Sequence, residues 1–174
     1  MKVGTSLLEE LIGMLEASRR DVDDAIASLS DANISRKPQS GGWSALDCLE
    51  HIVFVEGVYL GWLENAVVQE EPRRDPEREA WITARVGDRS WDWQAPAVAT
   101  PKGRFRSMPE ALAEFHAVRA RTVAAVKTRE SSLLRLQASH SLLGIMNGVE
   151  LVRLVAGHAS RHAVQIRKTG GGLG

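Results

Sequence analysis

Residues 147–166, "NGVELVRLVAGHASRHAVQI", carry the clearest helical pattern in the chain. Asn147 and Glu150 have the spacing of an N-terminal capping box, and Gly170 is suited to end the helix that follows. Between them, apolar and histidine residues return every three or four positions. This face comprises Leu151, Leu154, Val155, His158, His162 and Gln165 or Ile166. We therefore predict an amphipathic helix over residues 147–169.

Three stretches upstream show the same periodicity. Apolar residues recur at helical spacing over residues 5–29. Ser44 and Asp47 mark the start of a helix that we expect to reach about residue 69, and Ser107 and Glu110 mark another over residues 107–129. No strand-like alternation stands out. The pattern predicts an all-α fold, a four-helix bundle of antiparallel or mixed direction, formed by a single domain of residues 1–174.

A long crossover, residues 70–106, connects the second and third of these helices. It contains four prolines, and "PEREAWITARV" within it suggests a short helix. Trp81, Trp91 and Trp93 make it too aromatic for a simple linker. These tryptophans either line a substrate pocket or attach the crossover to the bundle or to another subunit.

Composition excludes several classes of function. The 174 residues are 44% hydrophobic, which is enough to form a substantial core. The chain has 22 basic and 22 acidic residues, so no broad positive field favours nucleic acid or an anionic membrane. We expect a small-molecule substrate instead.

Charged residues and cysteine usage bear on the compartment. Glu9 and Glu10 interrupt what would be the apolar region of a signal peptide, and Glu56 and Glu64 interrupt the most apolar run, which favours a buried helix over a membrane span. The single cysteine, Cys48, cannot form a disulfide within the chain. We expect a cytoplasmic protein.

Three histidines are candidates for metal binding. His158 and His162 lie one helical turn apart, and His51 lies on the apolar face of another predicted helix. They either fill space at the edge of the core or supply three nitrogens to one ion. Three histidines leave a coordination position open, as catalytic zinc requires. The spacing alone leaves both interpretations open.

A wider resemblance favours the metal. "GGWSALDCLEHIVFVEGVYLGWL", residues 41–63, resembles the tryptophan-serine stretch that leads to a helical histidine in the DinB-like family. Residues 140–166 resemble the closing segment of that family, with H-x3-H-x2-Q-I, and residues 95–119 resemble its proline-rich connection and third helix. The similarity extends over roughly residues 5–168. It implies a four-helix bundle in which His51, His158 and His162 bind a divalent metal at a surface site rimmed by loops.

The resemblance also implies a range of functions. Characterised relatives are thiol S-transferases or isomerases that use small thiols such as mycothiol or bacillithiol, and related domains serve in thiohistidine biosynthesis. We therefore expect a metal-dependent enzyme, with zinc or nickel, that uses a low-molecular-weight thiol as cosubstrate. A metal-dependent hydrolase and a non-catalytic metal- or partner-binding bundle in a stress response are the alternatives. Bundles of this family often pair, so we expect a homodimer.

Four residues near the three histidines are weaker candidates for metal binding or for support of the ligands. Cys48 lies one turn before His51 and is close enough to reach the same ion, but a free cysteine is more often a small buried hydrophobe. Gln165 either supports His162 by a hydrogen bond or marks the polar boundary of the bundle. Glu50 and Glu56 are candidates for ligand support or proton transfer. Since Glu50 is adjacent to His51 in the chain and points about 100° away from it around the helix, we expect it to be solvated.

The two remaining histidines have no ligand spacing. His116 lies beside the apolar face of the third helix and has no spaced partner. His140 precedes the fourth helix, where either a role at the rim of the site or a structural capping role is possible, and capping is the more common role.

Overall fold

A computed structural model describes residues 5–38, 41–88, 90 and 94–170 of the chain. Its helices are α1 (Thr5–Ala27), α2 (Asp31–Ile34), α3 (Ala45–Asn65), α4 (Pro76–Gly87), α5 (Met108–Thr128) and α6 (Gly148–Gly170), with 3-10 turns at Ala97–Ala99 and Glu130–Arg135. Three short strands are β1 (Val67–Val68), β2 (Leu136–His140) and β3 (Gly144–Met146). No helix in the described ranges combines the length and apolar character needed to cross a bilayer.

The four long helices form the predicted bundle. Helices α1 and α3 each pack against both α5 and α6, while α4 packs on α6. Gly157 permits the close approach of α4, because a Cβ atom at this position would lie 3.0 Å from Cγ1 of Val86. The all-α, four-helix-bundle prediction is confirmed.

The direction of the helices is mixed, one of the two arrangements left open by the sequence. Glu10 near the start of α1 pairs with Arg153 near the start of α6, and Asp21 further along α1 accepts a hydrogen bond from Ser160 of α6. These contacts make α1 and α6 parallel. Helices α3 and α5 are parallel as well, since their starts share one core cluster. The crossover is long because it must return the chain by roughly 30 Å, the length of a 21-residue helix.

Predicted capping boxes begin two of the long helices. Oγ of Ser44 accepts from the backbone N–H of Asp47 at 3.1 Å, and Oδ2 of Asp47 accepts from the N–H of Ser44 at 2.9 Å. Asn147 and Glu150 make the same reciprocal pair, with both distances 2.9 Å. Each box satisfies two amide donors that have no partner within the helix.

The strands are the main departure from the sequence-based prediction. Helix α3 ends at Asn65 instead of near residue 69, because Val67 and Val68 pair antiparallel with Gln137 and Leu136 of β2. Strand β2 also pairs with β3 through a turn. The five residues of β2 alternate only twice between buried and exposed, which is too short a pattern to stand out.

The core has two clusters along the bundle. The first cluster contains the first halves of α1 and α6, the end of α3, helix α4 and the strands. The second cluster contains the second halves of α1 and α6 and the starts of α3 and α5. A buried ion pair lies between the helices: Nε and Nη2 of Arg119 donate to Glu56 at 2.7 and 2.8 Å. Arg119 also donates to Ser18 Oγ and the Leu15 carbonyl, so it links α5 to α3 and α1.

Candidate metal centre

His51, His158 and His162 converge at one point between α3 and α6. One nitrogen from each ring lies within 4.8 Å of the corresponding nitrogens of the other two, a spacing that could hold one metal ion. The Nε2 atoms of His51 and His158 are 3.0 Å apart. His51 and His162 are buried, while His158 is partly exposed. The structure thus brings together the three predicted candidates.

Two of the rings are oriented by hydrogen bonds to oxygen atoms. The Nδ1–H of His51 donates to the Ala99 carbonyl at 2.8 Å, and the Nδ1–H of His162 donates to Oε1 of Gln165 at 2.9 Å. Since both oxygens act as acceptors, the proton is fixed on Nδ1 and Nε2 keeps its lone pair. Supporting bonds of this kind are usual for histidines that bind metals. Gln165 therefore has the supporting contact that was one of its two expected roles.

The surroundings of His51 and His158 favour the uncharged form of both rings. Burial lowers the pKa of His51, partly offset by its bond to Ala99. The pKa of His158 is held well below 6.5 by burial, and His162, His51 and Arg161 lower it further. Neutral imidazoles are the form that coordinates cations. A donor set of three imidazoles fits a divalent metal such as zinc.

The histidines lie in the wall of a cavity of about 950 Å³. Trp43 covers them from one side, with its ring centre 4.7 Å from that of His51 and 6.1 Å from that of His162. The apolar wall includes Phe54, Val55, Val58, Val86 and Leu154. Arg161 also lines the cavity, and the lining residues that the structure describes include neither Asp nor Glu. The cavity therefore favours neutral or anionic ligands.

The aromatic residues of the cavity differ from those expected. Trp81 lies half-exposed on α4 and is not among the described residues of the cavity wall. Trp91 and Trp93 lie outside the described residues. The described aromatic wall comes largely from α3, with Phe54, Tyr59 and Trp62. Trp62 lies on the same side of α3 as His51, eleven residues and about three turns further on. Phe54 and Tyr59 lie beside that line, because the face that a cavity exposes is wider than a single row of residues.

Glu50 is buried, so the expectation of a solvated carboxylate was wrong. Its Oε1 accepts the backbone N–H of Lys102 at 2.6 Å, and its Oε2 accepts that of Arg104 at 2.8 Å. The side chain does point away from the histidine face, but the crossover covers that side of α3. Glu50 thus holds the segment whose Ala99 carbonyl orients His51.

The other candidates lie outside the histidine cluster. Glu56 is paired with Arg119 in the bundle interior. Cys48 is fully buried in the second core cluster. His116 pairs with Asp23 at 2.7 Å. His140 caps a turn as expected, since its Nδ1 accepts the N–H groups of Leu142 and Leu143 at 3.1 and 3.2 Å, yet it also lines the cavity.

Comparisons with known proteins agree with this architecture. The family model of the DinB superfamily matches residues 14–166. Among solved structures, the chain is similar to YfiT from Bacillus subtilis, which is described as a probable metal-dependent hydrolase with an unusual four-helix bundle topology. The two share 15% sequence identity, the match covers 97% of this chain and 89% of YfiT, and the TM-score is 0.63. No curated protein matches the chain significantly.

Proposed function

Because the chain belongs to the DinB superfamily and its three histidines converge in the wall of a cavity, we propose that it is a divalent-metal-dependent enzyme acting on a small molecule. The observation that carries the proposal is the set of three imidazole nitrogens within 4.8 Å of one another. His51, His158 and His162 are the proposed ligands. Three protein ligands leave room for a reactant, whereas a closed structural site usually has four.

The protein residues around the ligands have separable roles. Ala99 and Gln165 fix the rings of His51 and His162, while the ring of Trp43 packs beside that of His51. A divalent cation held by the three histidines would lower the pKa of a bound thiol or water molecule and so would supply a nucleophile at neutral pH. The adjacent apolar wall accommodates the body of a substrate.

Our specific proposal is transfer to or from a low-molecular-weight thiol. The resemblance of residues 41–63 and 140–166 to the DinB-like family, whose characterised members include thiol S-transferases, supports it, as does a cavity of about 950 Å³, large enough for two small reactants together. Zinc and nickel are the proposed metals, since imidazole suits both. The second candidate is hydrolysis, which the likeness to YfiT favours.

Cobalt substitution separates these possibilities. The protein is loaded with one cobalt ion per chain and titrated with cysteine, glutathione and azide while the visible spectrum is followed. A charge-transfer band that grows with the thiols supports thiol chemistry. A response to azide alone, with ester hydrolysis that needs the metal, supports the hydrolase. A spectrum indifferent to all three would mean a closed site and would contradict the proposed enzyme.

A further inference from the structure

The same cavity has a second polar group, formed by Tyr59 of α3 and His140 of β2. The Tyr59 hydroxyl lies 3.1 Å from Nε2 of His140. Both residues line the cavity wall. Tyr59 is eight residues beyond His51 on the same helix, which places the pair about 12 Å from the histidine cluster along the helix axis. This pair has no part in the proposed metal site.

The direction of the hydrogen bond follows from the turn after β2. Nδ1 of His140 accepts two backbone N–H groups, from Leu142 and Leu143, so it carries no proton. The proton of the neutral ring must then be on Nε2, and Nε2–H donates to the Tyr59 oxygen. The hydroxyl hydrogen of Tyr59 is consequently not used in this bond. No described residue accepts it, so it is available to a ligand in the cavity.

The chemistry of the pair remains that of a neutral donor. Burial raises the pKa of Tyr59 to about 12, so its hydroxyl keeps its proton at neutral pH. Burial lowers the pKa of His140, so its ring stays uncharged. Trp62 supports both rings, with ring centres 5.2 Å from Tyr59 and 6.2 Å from His140.

We propose that Tyr59, oriented by His140, binds a carbonyl, carboxamide or carboxylate oxygen at the end of the substrate remote from the three histidines. The inference rests on the proposed function, since it assumes that the reacting group lies at the histidine cluster. The substrate class is then an elongated, neutral or anionic molecule with an apolar body, because Val55 and Val58 lie between the two ends and Arg161 is the charged residue in the described wall. Tyr59 is a specificity residue, and His140 is a positioning residue.

Synthetic probes with two ends test this directly. Hydroxamates bind many metal ions, so a series of alkyl hydroxamates of graded length can be capped with either a carboxamide or a methyl group. Affinities for the zinc-loaded protein are measured by calorimetry. At the chain length that spans about 12 Å, we expect the carboxamide cap to bind more tightly than the methyl cap. Tyr59→Phe should lose about tenfold in affinity for the carboxamide probe, the effect of one hydrogen bond, and none for the methyl probe.

The control is Thr83→Val, which removes a hydroxyl on α4 that bonds to the Glu79 carbonyl outside the cavity; it should change neither affinity. Equal affinities of wild type and Tyr59→Phe for the carboxamide probe would overturn the inference and leave the metal centre standing. Zinc binding without affinity for any hydroxamate would overturn both. If the protein bound no zinc, the proposed function would fail, and the subsite at Tyr59 would be tested separately by following hexanamide binding with NMR. Equal binding of hexanamide to wild type and to Tyr59→Phe would overturn the subsite.

Discussion

The positions of the ring protons of the three histidines are set by their hydrogen-bond partners. His51 and His162 each donate Nδ1–H to an oxygen, so both present Nε2 for coordination. In the metal-free protein, Nε2 of His51 can accept the remaining proton from Nε2–H of His158 at 3.0 Å. Metal binding then requires only that this proton move from Nε2 to Nδ1 of the His158 ring, so the tautomer of His158 controls the availability of the site.

Replacement of His158 tests the metal assignment at the scale of one residue. We expect wild type to hold about one divalent ion per chain and His158→Ala to lose most of it, because two nitrogens are too few for a tight site. Elemental analysis of dialysed protein measures this. His116→Ala is the matched control, because His116 pairs with Asp23 away from the cluster. Unchanged metal content in His158→Ala would contradict the assignment.

His140 should contribute to the pH dependence of stability. Burial lowers its folded-state pKa below 6.5, so the unfolded state binds more protons in the range between the two pKa values. Stability is therefore lost as pH falls below 6.5. Protonation of Nδ1 would also remove the hydrogen bonds that it accepts from the N–H groups of Leu142 and Leu143. The neighbouring groups do not offset the new charge, because Tyr59 stays neutral and Arg78, which donates to the Leu143 carbonyl, is itself positive.

The measurement is urea unfolding of metal-free protein at about pH 7.5 and about pH 5.5, on either side of the ordinary histidine pKa. His140→Asn is the matched variant, because Oδ1 of asparagine occupies a position similar to Nδ1 and can accept the same N–H groups without titrating. We expect a smaller loss of stability in the variant between the two pH values. An equal loss in both proteins would show that His140 does not contribute.

At the scale of elements, the crossover is part of the candidate site. Glu50 on α3 binds the backbone at Lys102 and Arg104, and this contact stabilises the segment that presents the Ala99 carbonyl to His51. Glu50→Gln should replace one acceptor with a donor that faces an N–H group. We expect a loss of about 1–3 kcal/mol in the free energy of unfolding and a weaker affinity for zinc, by about tenfold, as for other changes to ligand support.

Competition with a chromophoric chelator measures the zinc affinity of Glu50→Gln, and urea unfolding measures its stability. Glu114→Gln is the control, since Glu114 makes only an exposed 3.7 Å ion pair with Arg104 of the same segment. A Glu50 variant with lower stability but unchanged zinc affinity would mean that the crossover does not orient His51.

The helices and their caps were predictable because each carries its own signal. Ser44 with Asp47 and Asn147 with Glu150 are local pairs, and the period of the apolar residues repeats over several turns. The roles of Glu50, Tyr59 and Ala99 were not predictable, because their partners lie 40 or more residues away in the chain. These partners are Lys102 for Glu50, His140 for Tyr59 and His51 for Ala99. The short strands were missed for the same reason: pairing of residue 67 with residue 137 is set by packing and not by a local pattern.

At the scale of the whole molecule, we propose a homodimer. The exposed side of the small sheet supports the proposal, because Val67 is 67% and Ile145 49% exposed on the two strands that flank β2. Sedimentation at tens of micromolar should give twice the chain mass of 19.0 kDa. Val67→Lys combined with Ile145→Lys should shift the protein toward monomer without loss of helix content. A wild-type monomer at this concentration would contradict the proposal.

A buried charged pair links three of the long helices. Arg119 and Glu56 are 1% and 2% exposed, and Arg119 also contacts Ser18 of α1, so three of the four long helices meet at one guanidinium group. Arg119→Met leaves Glu56 buried without its partner. The free energy of unfolding should fall by about 3–5 kcal/mol, as for other broken buried pairs.

Arg121→Met on the same helix provides the comparison, because the ion pair of Arg121 with Glu64 is exposed and 3.6 Å long. Its loss should cost less than about 1 kcal/mol. The double variant Glu56→Leu with Arg119→Met removes both charges and should recover much of the stability, since an apolar pair of similar volume carries no desolvation cost. Arg119→Met and Arg121→Met should both retain zinc, because neither arginine contacts the three histidines. Equal unfolding free energies for Arg119→Met and Arg121→Met would mean that the buried pair does not stabilise the bundle.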